Sequence, residues 1–167
     1  NEKKYVQECF DDGWISSIGK YVEKFESSFS KYLGVKYSVS STSGTSSLHL
    51  ALLALEIKKG DEVLLPSLTF VATANVIAYC GATPVFVDSC MDTFLLDIED
   101  LKKKITKKTK VVIAANLYGN SCNLKELQNI CKENGIYLIE DNAESLGTTF
   151  ENKLLGNFGD ISCFSFY

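Results

Sequence analysis

The chain has one histidine, two prolines, one tryptophan and one methionine in 167 residues, and no apolar run reaches membrane-spanning length. His49 is the only imidazole, and the six cysteines (Cys9, Cys80, Cys90, Cys122, Cys131 and Cys163) never form a Cys-x-x-Cys pair, so no metal site is expected from this chain. The cysteines are too sparse for a secreted disulfide scaffold, and reduced, mostly buried thiols are expected. The polar start Asn1-Glu2-Lys3-Lys4 leads into no signal-peptide core, which makes the cytoplasm the default location. A net charge of −4 and a pI near 5.1 lack the basic excess that would draw the chain to nucleic acid or to an anionic membrane. The lysine cluster from Lys102 to Lys108 adjoins Asp97, Glu99 and Asp100, and reads as a solvated helix end and turn.

What is present suits a single packed core, with 46% hydrophobic and 23% charged residues. Val22, Phe25, Phe29, Tyr32 and Leu33 recur at helical spacing between Gly19 and Gly34, and a short strand is expected over Tyr37 to Ser41. Helices are then expected at 45–57, 71–80, 97–105 and 124–133. They alternate with strands at 62–66, 84–88, 110–115, 136–139 and 161–166, and a small hairpin turns at Glu151-Asn152-Lys153. This alternation predicts an α/β fold with a mostly parallel sheet and helices on both faces.

Two features carry chemistry. Ser43-Gly44-Thr45-Ser46-Ser47 opens an apolar helix, which lets backbone N–H groups and hydroxyls hold a phosphate; it suits an ordinary N-cap equally well. It lacks the lysine of a P-loop and the spacing of a Rossmann fingerprint. Asp141 follows the buried-strand pattern Ile136-Tyr137-Leu138-Ile139, at the sheet edge where open α/β folds bind ligands, and a helix-cap role competes with a ligand role there. An anion cradle and a strand-end carboxylate together suit a phosphorylated ligand with a basic ring atom. Phe70, at another strand end, can lie against a planar ring or belong to the core. Ser165 alternates with Phe164 and Phe166, which turns its hydroxyl toward a polar pocket, and His49 reads as structural.

These segments, in their order and spacing, resemble the pyridoxal-phosphate-dependent sugar aminotransferases of the DegT/DnrJ/EryC1/StrS family, within the aspartate-aminotransferase fold. The resemblance rests on Gly13-Trp14-Ile15-Ser16-Ser17, Gly44 to Ala51, Gly60-Asp61-Glu62-Val63, Phe70 to Asn75, Gly81 to Asp88, Leu117-Tyr118-Gly119, Glu140 to Glu144 and Gly159 to Phe166. It implies a fold-type-I, three-layer α/β/α large domain over 35–167, incomplete at its C-terminus, preceded by a helical segment over 1–34. Gly44, Thr45 and Ser165 would hold the phosphate of pyridoxal 5′-phosphate, Phe70 would stack on its ring, and Asp141 would pair with the ring nitrogen. Glu144 would contact the cofactor near the ring hydroxyl, where many relatives carry glutamine, a departure that resembles the branch acting at C4 of nucleotide-linked 4-keto-6-deoxy sugars in perosamine, bacillosamine or legionaminic-acid pathways. Asn116 stands where many relatives have histidine, and Trp14 is a candidate substrate contact. The lysine that forms the Schiff base is expected about three positions beyond Tyr167, so the chain reads as a fragment lacking that lysine and the small domain.

The resemblance therefore implies transfer of an amino group from an amino-acid donor, glutamate, to a nucleotide sugar for a surface glycan such as lipopolysaccharide. It also implies a homodimer sharing its active site. Two alternatives stay open: a sugar dehydratase of the same fold using pyridoxamine phosphate, with histidine in place of the lysine, and a non-catalytic binding module.

Overall fold

A computed structural model describes residues 1–167 and falls into two compact units, 1–40 and 41–167. In the first, helix α1 (Glu2–Asp11) and helix α2 (Lys20–Leu33) pack through Tyr5 and Tyr21, whose ring centroids lie 5.1 Å apart. Lys20 reaches Asp12 at 2.6 Å, and the Tyr21 hydroxyl donates to Glu8. Gly34 ends α2 in the left-handed region, φ 75°, where a side chain would be strained. The strand expected over Tyr37 to Ser41 does not form. The Ser38 hydroxyl donates to the Glu26 carbonyl, and the Ser40 N–H to the Glu26 carboxylate at 2.7 Å, so side-chain anchors on α2 replace a β-ladder.

The second unit is built on five strands: β1 (Glu62–Pro66), β2 (Thr83–Val87), β3 (Thr109–Ala115), β4 (Tyr137–Asp141) and β7 (Ile161–Cys163). They lie in the order β2-β1-β3-β4-β7 and every pairing is parallel. Between them run α3 (Gly44–Ala54), α4 (Val71–Tyr79), α5 (Ile98–Lys104) and α6 (Leu124–Asn134). Strand alternation divides the core in two. Val63, Leu65, Val111, Ile113, Ile139 and Cys163 meet Leu48, Leu52, Val76 and Ile77 of α3 and α4. Leu64, Val112, Ala114 and Leu138 face the other way, onto Leu101 of α5 and Leu124, Leu127 and Ile130 of α6. The expected doubly covered parallel sheet is thus present.

Most boundaries move by a residue or two, and three of the differences have a visible cause. Helix α3 stops at Ala54, because Glu56 turns to φ 58° and the chain closes with the Ile57 N–H on the Leu52 carbonyl. Strand β7 ends at Cys163 rather than running on through Phe166, because Cys163 pairs with Asp141, the last residue of β4. Strands β5 (Thr149–Phe150) and β6 (Lys153–Leu154) form the small hairpin, with only Glu151 and Asn152 in its turn. Both have positive φ, 47° and 63°, which is the type I′ requirement. Asparagine tolerates that backbone better than glutamate, so Glu151→Asn should raise stability by about 0.5 kcal/mol in chemical denaturation, despite losing an exposed pair with Lys125.

None of the six cysteines is bridged; Cys122, Cys131 and Cys163 are buried and the other three are partly exposed, so burial reaches half of them rather than most. Burial pushes the Cys131 and Cys163 thiols up to about 12. Helices α3 and α4 contain no charged residue, yet Leu50, Leu53, Val71 and Tyr79 remain exposed on them. No helix is long and apolar enough to cross a membrane.

Candidate functional site at the C-terminal ends of the strands

The carboxyl ends of β1, β3, β4 and β7 deliver the expected residues to one edge of the sheet, together with the N-termini of α3 and α4. Ser43 caps α3 by accepting from the Ser46 N–H at 3.1 Å, and the Ser47 N–H begins the helical ladder on the Ser43 carbonyl. The cap leaves the Gly44 and Thr45 N–H groups at the head of the helix, so the N-cap and the anion cradle occupy the same turn without conflict. Gly44 lies against Ser165: a Cβ at position 44 would sit 3.1 Å from the Ser165 Cβ and 3.5 Å from its hydroxyl. Close approach, not a special backbone angle, is what requires glycine here. Ser165 lies beyond the end of β7, so its contact with Gly44, rather than strand alternation, orients it.

Asp141 ends β4 on the face of the sheet that carries α3 and α4, and is 7% exposed. Its carboxylate accepts from the Thr73 hydroxyl at 3.0 Å and from the Ala143 N–H at 3.3 Å. No lysine pairs with it. Burial, with a smaller contribution from the Glu144 charge, raises its pKa above the ordinary 3.8, and the two hydrogen bonds only partly offset that rise. A buried carboxylate held this way is complementary to a cation arriving from outside. Thr73 was not legible as a site residue, because its place in an apolar helix gives no chemical signal; it also meets the Thr69 hydroxyl at 3.1 Å. Phe70 is the N-cap of α4, three residues before Thr73, and its ring is 68% exposed. An aromatic face is therefore held one helical turn from the group that touches Asp141.

Glu144 is exposed and accepts from the Tyr118 N–H at 3.2 Å, while its carbonyl takes the Gly119 N–H at 3.0 Å. It thereby holds the loop after β3, where Tyr118 has φ 53° and an 86% exposed side chain. Asn116, fully buried, donates to the Asn142 side chain at 2.7 Å and accepts from the Cys122 N–H at 2.8 Å, so its role is to tie the ends of β3 and β4 together. Glu140 is fully buried as well, on the opposite face of β4 from Asp141. His49 packs edge-on against Tyr79 at 5.7 Å, a structural contact. Trp14 belongs to the 1–40 unit, where it lines a cleft of about 600 Å³ with Cys9, Ile18 and Tyr21. No group of three or more His, Cys, Asp or Glu side chains is placed to hold a metal ion.

All residues from 1 to 167 match the DegT/DnrJ/EryC1/StrS aminotransferase family. The chain belongs to this family. It is 48% identical over 167 residues to the GDP-perosamine synthase of Vibrio cholerae, covering 100% of this chain and 46% of the relative. Among solved structures, the aminotransferase from Psychrobacter cryohalolentis superposes with a TM-score of 0.95 at 31% identity, over 99% of this chain and 42% of that one. GDP-4-keto-6-deoxymannose-3-dehydratase (ColD), in a mutant with bound GDP-perosamine, superposes with a TM-score of 0.92 at 37% identity, over 99% and 44%. A Streptococcus pneumoniae relative is known in both PLP and PMP forms, with TM-scores of 0.95 at 33% identity, over 99% of this chain and 46% and 45% of those chains. The chain thus spans less than half the length of these relatives.

The residues at this edge of the sheet fit pyridoxal phosphate. The Gly44–Ser165 contact is a cradle that a Cβ would fill, and Asp141 is a buried carboxylate whose partners are a hydroxyl and an N–H but no cation.

Proposed function

We propose that the full-length protein uses pyridoxal phosphate to move an amino group from an amino-acid donor, glutamate, to a nucleotide-linked 4-keto-6-deoxy sugar in surface-glycan synthesis. The observation that carries this reading is Asp141, buried and without a cation at the sheet edge where Gly44 meets Ser165. In this reading Gly44, Thr45 and Ser165 bind the phosphate, Phe70 covers the ring, and Asp141, oriented by Thr73, keeps a proton on the ring nitrogen. The bound cofactor supplies a protonated ring that accepts electron density from the bond broken at the substrate carbon. Residues 35–167 then act as the cofactor-binding large domain and 1–34 as a helical segment. Glu144, which accepts from the Tyr118 N–H, lies near the ring hydroxyl, and a lysine expected beyond Tyr167 would abstract the proton from the substrate carbon. The uncharged, partly exposed α3 and α4 support burial against a second copy in a homodimer.

The names of the perosamine synthases make GDP-4-keto-6-deoxymannose the first substrate to try. Incubation of the full-length protein with that sugar, glutamate and pyridoxal phosphate should give a product in which an amino group replaces the keto oxygen, read by mass spectrometry. Loss of a ring hydroxyl without gain of nitrogen would assign the dehydratase reaction named for the ColD neighbour, and failure to bind the cofactor would leave only a binding module. Gly44→Ala should weaken pyridoxal phosphate binding roughly tenfold by pushing Ser165 outward, and a titration that finds unchanged affinity would remove the cradle from this account.

A further inference from the structure

The geometry points to Glu140 as a positioning residue that fixes the distance between the two halves of the cofactor site, an inference that rests on the cofactor reading above. Glu140 is fully buried and forms no ion pair, yet its carboxylate is densely hydrogen-bonded. One oxygen, Oε1, accepts from the N–H groups of Phe158 at 2.8 Å and Gly159 at 2.7 Å and from the Ser162 hydroxyl at 3.2 Å. The other, Oε2, accepts from the Gly156 N–H at 2.8 Å and the Asn142 amide at 3.3 Å. These donors come from the loop that leads into β7, from β7 itself and from the turn after β4. A carboxylate is the side chain that can satisfy them all, because each of its oxygens offers acceptor sites and neither carries a hydrogen.

The arrangement links the two ends of the site. Glu140 and Ser162 are register partners on neighbouring strands, facing the α6 side, while Asp141 and Cys163 face α3 and α4. Glu140 therefore touches neither half of the site itself; it anchors β7 to β4, and the segment leaving β7 carries Ser165 onto Gly44. Asn142 extends the linkage, passing from Glu140 to Asn116 at the end of β3. With Asp141 set by β4 and Ser165 by β7, this carboxylate reinforces the β4–β7 ladder that sets the span between ring site and phosphate site.

Glu140→Gln presents an NH2 group to one set of donors in either amide orientation, leaving donor facing donor. Ser162→Ala removes the side-chain link to β7 alone and leaves the backbone donors satisfied. Both variants of the full-length protein are titrated with pyridoxal phosphate and with pyridoxal, which lacks the phosphate, at a temperature where circular dichroism shows each variant folded. The expected result is loss of about tenfold in the preference for the phosphorylated ligand in Glu140→Gln, and a few-fold loss in Ser162→Ala, with pyridoxal affinity nearly constant. A lowered melting temperature with the preference unchanged in both variants would make Glu140 a structural residue only and overturn the proposal. If Glu140→Gln does not fold, Ser162→Ala decides. A parent protein that binds neither ligand would overturn the cofactor reading, and this inference with it.

Discussion

Asp141→Asn in the full-length protein should lower turnover by about a hundredfold or more while making the cofactor-free protein more stable, not less. The side chain keeps its shape, its remaining oxygen can accept from the Ala143 N–H and its NH2 can donate to the Thr73 hydroxyl oxygen, so packing is nearly unchanged. What is lost is the negative charge that would hold a proton on a bound ring. The same charge is a burden to the empty protein, because burial raises the Asp141 pKa above 3.8. With a folded-state pKa above the unfolded one, the stabilising contribution is present in full below pH 3.8 and is lost as pH rises through the folded value. Asparagine does not titrate, so the variant's advantage should grow from acid toward neutral pH and then level off. Thermal melts of the cofactor-free proteins across that range, beside an activity assay, check both halves. Near-normal turnover, or a stability gap that shrinks with rising pH, would remove Asp141 from its assigned role. The carboxylate then belongs with those site residues that cost stability until their ligand arrives.

Gly159→Ala should be among the most damaging single-methyl additions in this chain. A Cβ there would lie 2.7 Å from the Leu138 carbonyl oxygen, 3.1 Å from that of Ile161 and 3.2 Å from the Glu140 Cγ. Two of these three atoms are backbone, and neither is at liberty to move. The Leu138 carbonyl already accepts the Asp160 N–H at 2.8 Å, and the Leu138 N–H is held by the Asp160 carboxylate at 2.8 Å. Relief would require drawing the 156–160 loop away from β4, which gives up the Gly159 and Phe158 hydrogen bonds to the buried Glu140 side chain. We expect a loss of about 3 kcal/mol, a large share of a stability of roughly 5–15 kcal/mol, and a fall in melting temperature of roughly 10 °C. A fall under about 2 °C would mean that the loop adapts and the contact is not limiting.

The strands and helices of the second unit were legible because apolar periodicity and glycine stops agree there, and β1 appears at the residues expected, 62–66. The strand-end position of Asp141 was legible for the same reason, since a carboxylate after Ile136-Tyr137-Leu138-Ile139 breaks a buried pattern abruptly. Tyr37 to Ser41 misled because alternation reports a surface with two unlike faces, not the presence of a neighbouring strand; here Tyr37 and Val39 are exposed and the serines bond to α2. Thr73 and Glu140 were illegible in a different way. Each matters through partners far along the chain, Asp141 for one and the 156–162 segment for the other, and spacing within a segment carries no trace of those meetings.

The contact between Gly44 and Ser165 also dictates when the site can come into being. Its two members are separated by roughly 120 residues, which a ribosome adds in the order of ten seconds, and every pairing of the five-stranded sheet between them is parallel and needs a crossover before it can close. For that interval the glycine turn of α3 exists as nascent chain with nothing to bind. In the proposed reading the phosphate end of the site is thus complete only once β7 has been made, and cofactor capture follows assembly of the sheet rather than aiding its early steps.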